Sequence, residues 1–281
     1  MYTLIVENKR GEQLELTHNE NYDVLEVDGL NPPTAAINTV EIANVDGARF
    51  NSSRIETRNI VIRLNIKPPI ETNRIALYKY FRVKRYIKIY YQNEHRDVFT
   101  EGYIETFENN LFGMTQQPQI SVICPNPFWQ DTHDTHAVFS DLVSLFEFPF
   151  SIAVEGIEFS RIERLTSTYI NIGEVASGAV IRMHAAAEVV NPTFYNNTTN
   201  EFFGVTVTMQ TGDLIVIDTN VGHKSVTLIR SGTVTNLLPN RQNGSKWIQF
   251  EPGENRISYS ADEGQAHLDV TVTAVQKFEG V

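Results

Sequence analysis

Apolar and polar residues alternate with a period of two along much of the chain, as they do in strands with one buried face. The run from Asn59 to Ile66 places isoleucine or leucine at every second position. The stretch from Thr211 to Ala261 repeats the pattern between turn signals such as Asn243-Gly244. Within that stretch Leu214 to Ile217 is apolar on both faces, so we expect a central strand. Short strands with turns about every 8–12 residues predict an antiparallel sandwich or barrel.

One segment follows a helical period instead. The prolines Pro68-Pro69 end the preceding strand, because proline cannot donate to a sheet ladder. After them Ile70, Leu77 and Phe81 fall on one stripe of a helical surface. The spacing therefore predicts a helix from Ile70 to Phe81.

Length and proline placement predict two domains. At 281 residues the chain is longer than a typical single core requires. The segment Cys124–Trp129 has two prolines, which indicate a rigid exit from the first domain, and a polar stretch follows from Asp131. We expect an N-terminal domain at 1–130, a linker at 131–150 and a C-terminal domain at 151–281. The candidate residues for the domain junction are Pro125, Pro127, Phe128 and Trp129.

Composition narrows the class of protein. A net charge of −11 argues against general nucleic-acid binding. A single cysteine, Cys124, excludes disulfides within the chain and fits a reducing compartment. The N-terminus lacks a signal-peptide pattern, and no apolar run reaches the length of a membrane span. We expect a protein that folds in a cytoplasm and has no membrane partner.

Basic residues are concentrated in one region. From Arg58 to Arg96 there are ten Lys or Arg and two Glu, a balance of +8 that leaves −19 for the rest of the chain. The region is either an ordinary solvated surface or the basic side of a head-to-tail contact between identical copies. The candidate interface residues are Arg82, Lys84, Arg85 and Lys88.

The candidates for a chemical site are weak. Asp131, His133, Asp134 and His136 have metal-like spacing, but a polar linker explains them better. Phosphate-binding glycine loops are absent from the sequence, and no catalytic group or cofactor site is predicted. Trp247 is a weak candidate for stacking on sugars, although a lone tryptophan more often covers a sheet or an interface.

The order of these signals resembles the distal tail proteins of long-tailed, non-contractile bacteriophages and prophages, which form the hub of the tail tip. Each short motif is unspecific alone, but their order along both halves of the chain is specific. In the first half they are Pro68–Glu71, Leu77-Tyr78 with Phe81, Ile87–Tyr91, Gly102–Glu105 and Ile120–Trp129. In the second half they are Asn191-Pro192, Thr211–Asp213, Ile217–Thr219, Ser245–Trp247, Pro252–Asn255 and Phe278–Val281.

This resemblance implies a tail-tube-like β-barrel domain carrying one helix, followed by a galectin-like β-sandwich. It implies a structural protein that is not an enzyme and uses no cofactor. Six copies would form a ring at the tail tip of the virion after synthesis in the host cytoplasm. The ring would join the tail tube protein to the tail-associated tip protein, carry receptor-binding proteins and let the genome pass without specific binding. The alternative is a carbohydrate-binding β-sandwich module for adsorption to the cell surface.

Overall fold

A computed structural model describes residues 2–44, 46–113, 115–133, 135–138, 142–144, 160–162 and 166–281. The chain divides into two compact units, Met1–Thr132 with Lys277–Val281, and His133–Gln276. Both consist mainly of β-strands, which confirms the predicted fold class. Much of the expected linker at 131–150 lies outside the described residues, so the boundaries of the linker stay a prediction. Among the helices that the structure describes, none is long and apolar enough to cross a membrane.

The first unit is a single large sheet with one helix and a separate hairpin. Its main sheet has the strand order β2-β1-β7-β8-β9-β6-β3, β10 pairs with β8, and β4 and β5 form a two-stranded sheet of their own. The elements are β1 Thr3–Asn8, β2 Gln13–Glu15, β3 Tyr22–Asp28, β4 Ala35–Glu41, β5 Ala48–Ile55, β6 Arg58–Ile66, α1 Ile70–Tyr80, β7 Tyr86–Gln92, β8 Asp97–Glu108, β9 Gln119–Cys124 and β10 Trp129–Asp131.

The second unit is a sandwich of two antiparallel sheets. The larger has the order β11-β24-β15-β20-β21-β22, the smaller β14-β23-β17-β18, and β12 with β13 and β16 with β19 form two further two-stranded sheets. The strands are β11 Thr135–Val138, β12 Leu142–Ser144, β13 Ser160–Ile162, β14 Thr166–Asn171, β15 Ala179–Ala185, β16 Val189–Val190, β17 Thr193–Asn196, β18 Glu201–Gly204, β19 Thr208–Met209, β20 Leu214–Asp218, β21 Ser225–Arg230, β22 Thr233–Asn236, β23 Gly253–Ser260 and β24 Leu268–Ala274.

The alternation predicted for Asn59 to Ile66 is confirmed in β6. Ile60, Ile62, Leu64 and Ile66 are all buried, because one face of this strand packs into the core of the first unit. The apolar run Leu214 to Ile217 is also internal, as expected, since β20 lies between β15 and β21.

The predicted helix is confirmed as α1, with Phe81 as its C-terminal cap rather than its last residue. Leu77 and Phe81 are buried, while Ile70 is only partly buried. Asn73 completes the buried stripe, which hydrophobic spacing alone did not predict. Its main-chain oxygen accepts a hydrogen bond from the Tyr22 hydroxyl at 2.9 Å, so this polar contact helps to fix the helix on the sheet.

The last residues of the chain belong to the first unit. A final strand, β25 Lys277–Phe278, pairs with β10 so that Phe278 lies opposite Trp129. Both side chains are buried in the core of that unit, and the Val281 N–H donates to Leu30 O at 3.2 Å. The sequence pattern had grouped these residues with the second domain, because strand pairing between distant segments leaves no periodic signal.

Arg58 connects three segments of the first unit. It is 3% exposed, and all four acceptors of its guanidinium are main-chain carbonyl oxygens. Pro127 O and Asn31 O lie 2.7 Å from the guanidinium nitrogens, and Gly29 O and Glu279 O complete the set. Burial lowers the pKa of Arg58, but arginine remains charged in proteins. The buried cation is thus stabilised by hydrogen bonds to the chain itself.

One apolar core holds the two sheets of the second unit together. It includes Ile181 and Ile215 from the larger sheet, and Tyr169 and Ile257 from the smaller. The Tyr169 ring lies 4.8 Å from that of Phe250, between ring centres. Because residues from both inner faces share this core, the unit is a sandwich, as predicted.

The same unit has an ion pair whose carboxylate is buried. Asp213 is 2% exposed and accepts from Arg230 Nε, which lies 3.0 Å from both carboxylate oxygens, and from Arg230 Nη2 at 2.5 Å. The Gln210 N–H donates a further hydrogen bond at 2.7 Å. Mainly because of the Arg230 hydrogen bonds, the pKa of Asp213 lies below its usual value. A carboxylate that is harder to protonate in the folded state contributes stability above its unfolded pKa and loses it as the pH falls.

We expect Arg58→Met to lower the free energy of unfolding by about 3 kcal/mol or more, because it removes the donor of four partly buried hydrogen bonds to main-chain carbonyl oxygens. Chemical denaturation at neutral pH measures this. Arg63→Met on the same strand is the matched control: Arg63 is exposed and paired with Glu26, so its loss should cost about 1 kcal/mol or less. Equal effects of the two substitutions would contradict the role given to Arg58.

We expect Asp213→Asn to destabilise the second unit by about 2 kcal/mol at pH 7, where the native carboxylate is ionised. The difference from the unaltered protein should shrink as the pH falls below about 4, since the carboxylate is then protonated in the unfolded chain and increasingly in the folded one. Urea denaturation at several pH values measures this. A difference independent of pH would show that the charge of Asp213 is not what stabilises the unit.

Candidate functional site

A cavity on the first unit, here called the basic cavity, lies where the β1–β2 turn, the end of α1 and residues 82–85 meet. Its volume is about 250 Å³. Asn8, Lys9, Arg10, Lys79, Tyr80, Arg82, Arg85 and Tyr86 line it. Five cationic side chains therefore converge on one concave surface in a chain whose net charge is −11.

The β1–β2 turn fixes two of these cations. The Asn8 side-chain oxygen accepts hydrogen bonds from the N–H groups of Arg10 and Glu12, at 2.9 and 3.2 Å. Gly11 follows with a φ of 75°, a left-handed conformation that glycine adopts without strain. Asn8 thus holds the backbone of this turn. Lys9 and Arg10 therefore project from a defined position.

The turn after α1 fixes two more of the cations, Arg82 and Arg85. The Arg85 N–H donates to Arg82 O at 3.1 Å and closes the turn. The Lys84 N–H donates to Ile104 O at 2.8 Å, and the Ile104 N–H donates to Arg85 O at 3.1 Å, so strand β8 holds the turn in place. Lys84 has a φ of 63°, which is uncommon for a residue with a side chain. These hydrogen bonds offset the cost of its left-handed backbone conformation.

Lys79 differs from the other cations of the basic cavity because it has an acidic partner. Its ammonium lies 2.9 Å from a carboxylate oxygen of Glu12, and Glu12 also accepts a hydrogen bond from the Asn8 side chain at 2.7 Å. These contacts, first that of Asn8 and then that of Lys79, lower the pKa of Glu12. Among the described residues Lys9, Arg10, Arg82 and Arg85 make no ion pair, so most of the positive charge in the cavity is not neutralised.

The structure separates the four candidate interface residues. Arg82 and Arg85 line the basic cavity, and Lys84 is exposed in the same turn but is not part of the lining. Lys88 lies on the outward face of β7, in register with Glu7 on one side and Glu101 on the other. The role of these residues in an interface stays a prediction. Sequence reasoning missed Lys9, Arg10 and Lys79, because no local spacing links the β1–β2 turn to the end of the helix.

Lys88 is part of an aromatic surface. Its ammonium lies 3.6 Å from the ring centre of Phe99 and 4.9 Å from that of Tyr90. The Tyr90 hydroxyl lies 3.1 Å from a Glu7 carboxylate oxygen. Burial, together with this carboxylate, raises the pKa of Tyr90 to about 12. Lys88 thus lies over two aromatic rings and outside the basic cavity.

The other sequence candidates have structural contacts. Trp129 is buried in the core of the first unit, Pro127 supplies a carbonyl oxygen to Arg58, and Phe128 is partly buried. A role of this segment, with the exposed Pro125, at a domain junction stays a prediction.

Trp247 packs against the core of the second unit. Its ring lies 4.9 Å from that of Phe203, between ring centres, and the Lys224 ammonium lies 5.8 Å from its centre. The ring is therefore partly covered by neighbouring side chains, as expected of a tryptophan that closes the end of a core.

The candidate metal site is only partly visible. Asp134 and the side chain of His136 lie outside the described residues. In the ranges that the structure does describe, no group of three or more His, Cys, Asp or Glu side chains is placed to hold a metal ion.

Family comparisons cover both units. Residues 9–124 match the phage tail protein RIFT-related domain, and residues 172–275 match the C-terminal domain of the siphovirus-type tail component. The two matches follow each other in the order of the two units and together span most of the chain. No curated protein matches the chain.

Solved structures share the whole fold. The crystal structure of SPP1 Dit, described as a paradigm of the hub adsorption apparatus in phages infecting Gram-positive bacteria, has a TM-score of 0.70 at 14% identity and covers 99% of both chains. A chain of the phage P2 baseplate, in its activated conformation with calcium, has a TM-score of 0.54 at 11% identity over 100% of both. At such identities the likeness establishes the fold.

The predicted fold class, mainly β in two domains with one helix in the first, is confirmed by these matches over both units. The family and the fold are those of structural proteins of the phage tail. Matching family models in both units, in their order along the chain, lead to one conclusion: the chain belongs to the distal tail proteins of siphophages.

Proposed function

We propose that this protein forms a hexameric ring at the distal end of the phage tail. The first units contact each other head to tail, and closure of that contact by rotation leaves a central channel. The ring joins the tail tube to the tail-associated tip protein and carries receptor-binding proteins on its outer side. The genome passes through the channel without specific binding.

The observation that carries this proposal is the β4–β5 hairpin. It pairs with no strand of the main sheet, and its described residues are exposed, apart from the partly buried Ala36. A two-stranded hairpin alone is at best marginally stable in water. Burial of the hairpin against another molecule would therefore stabilise it.

One face of the hairpin is apolar. Ala35 pairs with Ile55, Ile37 with Ser53 and Thr39 with Phe50, so the register brings these side chains to the same face. Ile37, Phe50 and Ile55 are 63%, 61% and 41% exposed. Burial of this face against a neighbouring copy would remove apolar surface from water and help to close the ring.

The distribution of charge also favours a head-to-tail contact between copies. We propose that the basic region around Arg82, Lys84, Arg85 and Lys88 forms one side of the contact. The first three contribute free charge, whereas Lys88 is flanked by Glu7 and Glu101. A basic surface on a chain that is otherwise strongly acidic favours heterologous pairing, because like surfaces repel and unlike surfaces attract.

The alternative of carbohydrate binding has less support. Trp247, the residue that prompted it, packs against the sandwich core and Phe203 rather than standing free for a sugar ring. A saccharide that quenches the fluorescence of Trp247 would restore this alternative.

We expect Phe50→Ser to reduce the fraction of assembled protein at a given concentration while changing the free energy of unfolding of the monomer by about 0.5 kcal/mol or less, since the side chain is exposed. Light scattering and chemical denaturation measure the two quantities. Val221→Ser is the matched control, because Val221 is 73% exposed in a turn of the second unit. Equal assembly of both variants and the unaltered protein would exclude the hairpin from the contact.

A further inference from the structure

The basic cavity combines features that no fold requirement explains. Five cations from three separate segments converge on about 250 Å³ of space. Main-chain hydrogen bonds fix two of these segments, so the cations cannot simply move apart at their backbones. Like charges held together in a concavity repel one another and create a local field that attracts anions.

The charge of the cavity is compensated at one point only. Glu12 pairs with Lys79, whereas Lys9, Arg10, Arg82 and Arg85 make no ion pair with any residue that the structure describes. Their guanidinium and ammonium groups are exposed and free to bind an incoming anion. Arginine side chains bind carboxylates through two parallel hydrogen bonds, which gives such a site both strength and direction.

The rest of the chain points to the source of the anion. The chain has 34 acidic and 23 basic residues, so a second copy offers many carboxylates to this cavity. The cavity, at about 250 Å³, has room for a few carboxylate side chains.

We propose that the basic cavity binds the carboxylates of an acidic segment of a second copy of this chain. The inference rests on the proposed ring and names the chemistry of one contact within it. Arg82 and Arg85 are the principal ligands, Lys9 and Arg10 close the opposite side, and Tyr80 and Tyr86 form the remaining walls. The contact is ionic, so its strength falls as salt increases.

The test uses an octaglutamate peptide as the probe, titrated into the full-length protein at low salt with calorimetry, and light scattering of the same samples. We expect binding to the unaltered protein and about tenfold weaker binding to the double variant Arg82→Gln/Arg85→Gln. Main-chain hydrogen bonds of the turn are retained in this variant, so it should fold. The matched control, Arg182→Gln/Arg241→Gln, removes two exposed cations of the second unit and should bind the peptide normally.

The peptide should also compete with assembly, because it occupies the place of the neighbouring copy. Unchanged binding to the double variant would overturn the assignment of the cavity. A ring that persists with peptide bound at the cavity would show that the segment does not come from a neighbour, while leaving the ring itself intact. Peptide binding at the cavity in a protein that never assembles would support the site and count against the ring. Tighter binding of a single-stranded oligonucleotide at the same residues would replace the proposal by a nucleic-acid contact.

Discussion

The hydrogen bonds of the buried Arg58 guanidinium are the constraint on which the first unit depends. They join the loop before β4, the segment after β9 and the C-terminal residues. The β4–β5 hairpin begins just after two of the acceptors and ends just before Arg58 itself, so the same cation fixes the root of the hairpin on both sides. Since a buried charge costs several kcal/mol unless it is fully hydrogen-bonded, the three segments must be in place together. This couples the hairpin to the core although the hairpin itself has no partner sheet.

Charge and exposed apolar surface are distributed unequally between the two units. The basic cavity and the exposed hairpin face both belong to the first unit, which matches the family domain of residues 9–124. In the second unit the carboxylate of Asp213 is buried and paired with Arg230. In the proposed assembly the first unit makes the contacts of the ring, whereas the second unit is a sandwich with a closed core.

Periodicity along the chain predicted the elements whose buried face repeats regularly. The alternation in β6 and the proline-bounded helix α1 followed from periodicity, because each buries one face of a regular element. The buried state of Arg58 was also readable in principle, since it stands in phase with Ile60 and Ile62. The convergence of Lys9, Arg10 and Lys79 with Arg82 and Arg85 was not, because it depends on how β1 and β7 pair. The placement of Phe278 in the first unit could not be predicted either, because it also depends on pairing between distant strands.

The central claim is that copies of this chain close into a ring by a head-to-tail contact. The most direct measurement is the mass of the purified protein by light scattering at low and high salt, with negative-stain images of the same sample. The account predicts a species of about six times the 31.9 kDa chain mass that appears as a ring with an open centre and dissociates at high salt. A dimer in which the same surface meets itself, or monomers at every concentration, would contradict it.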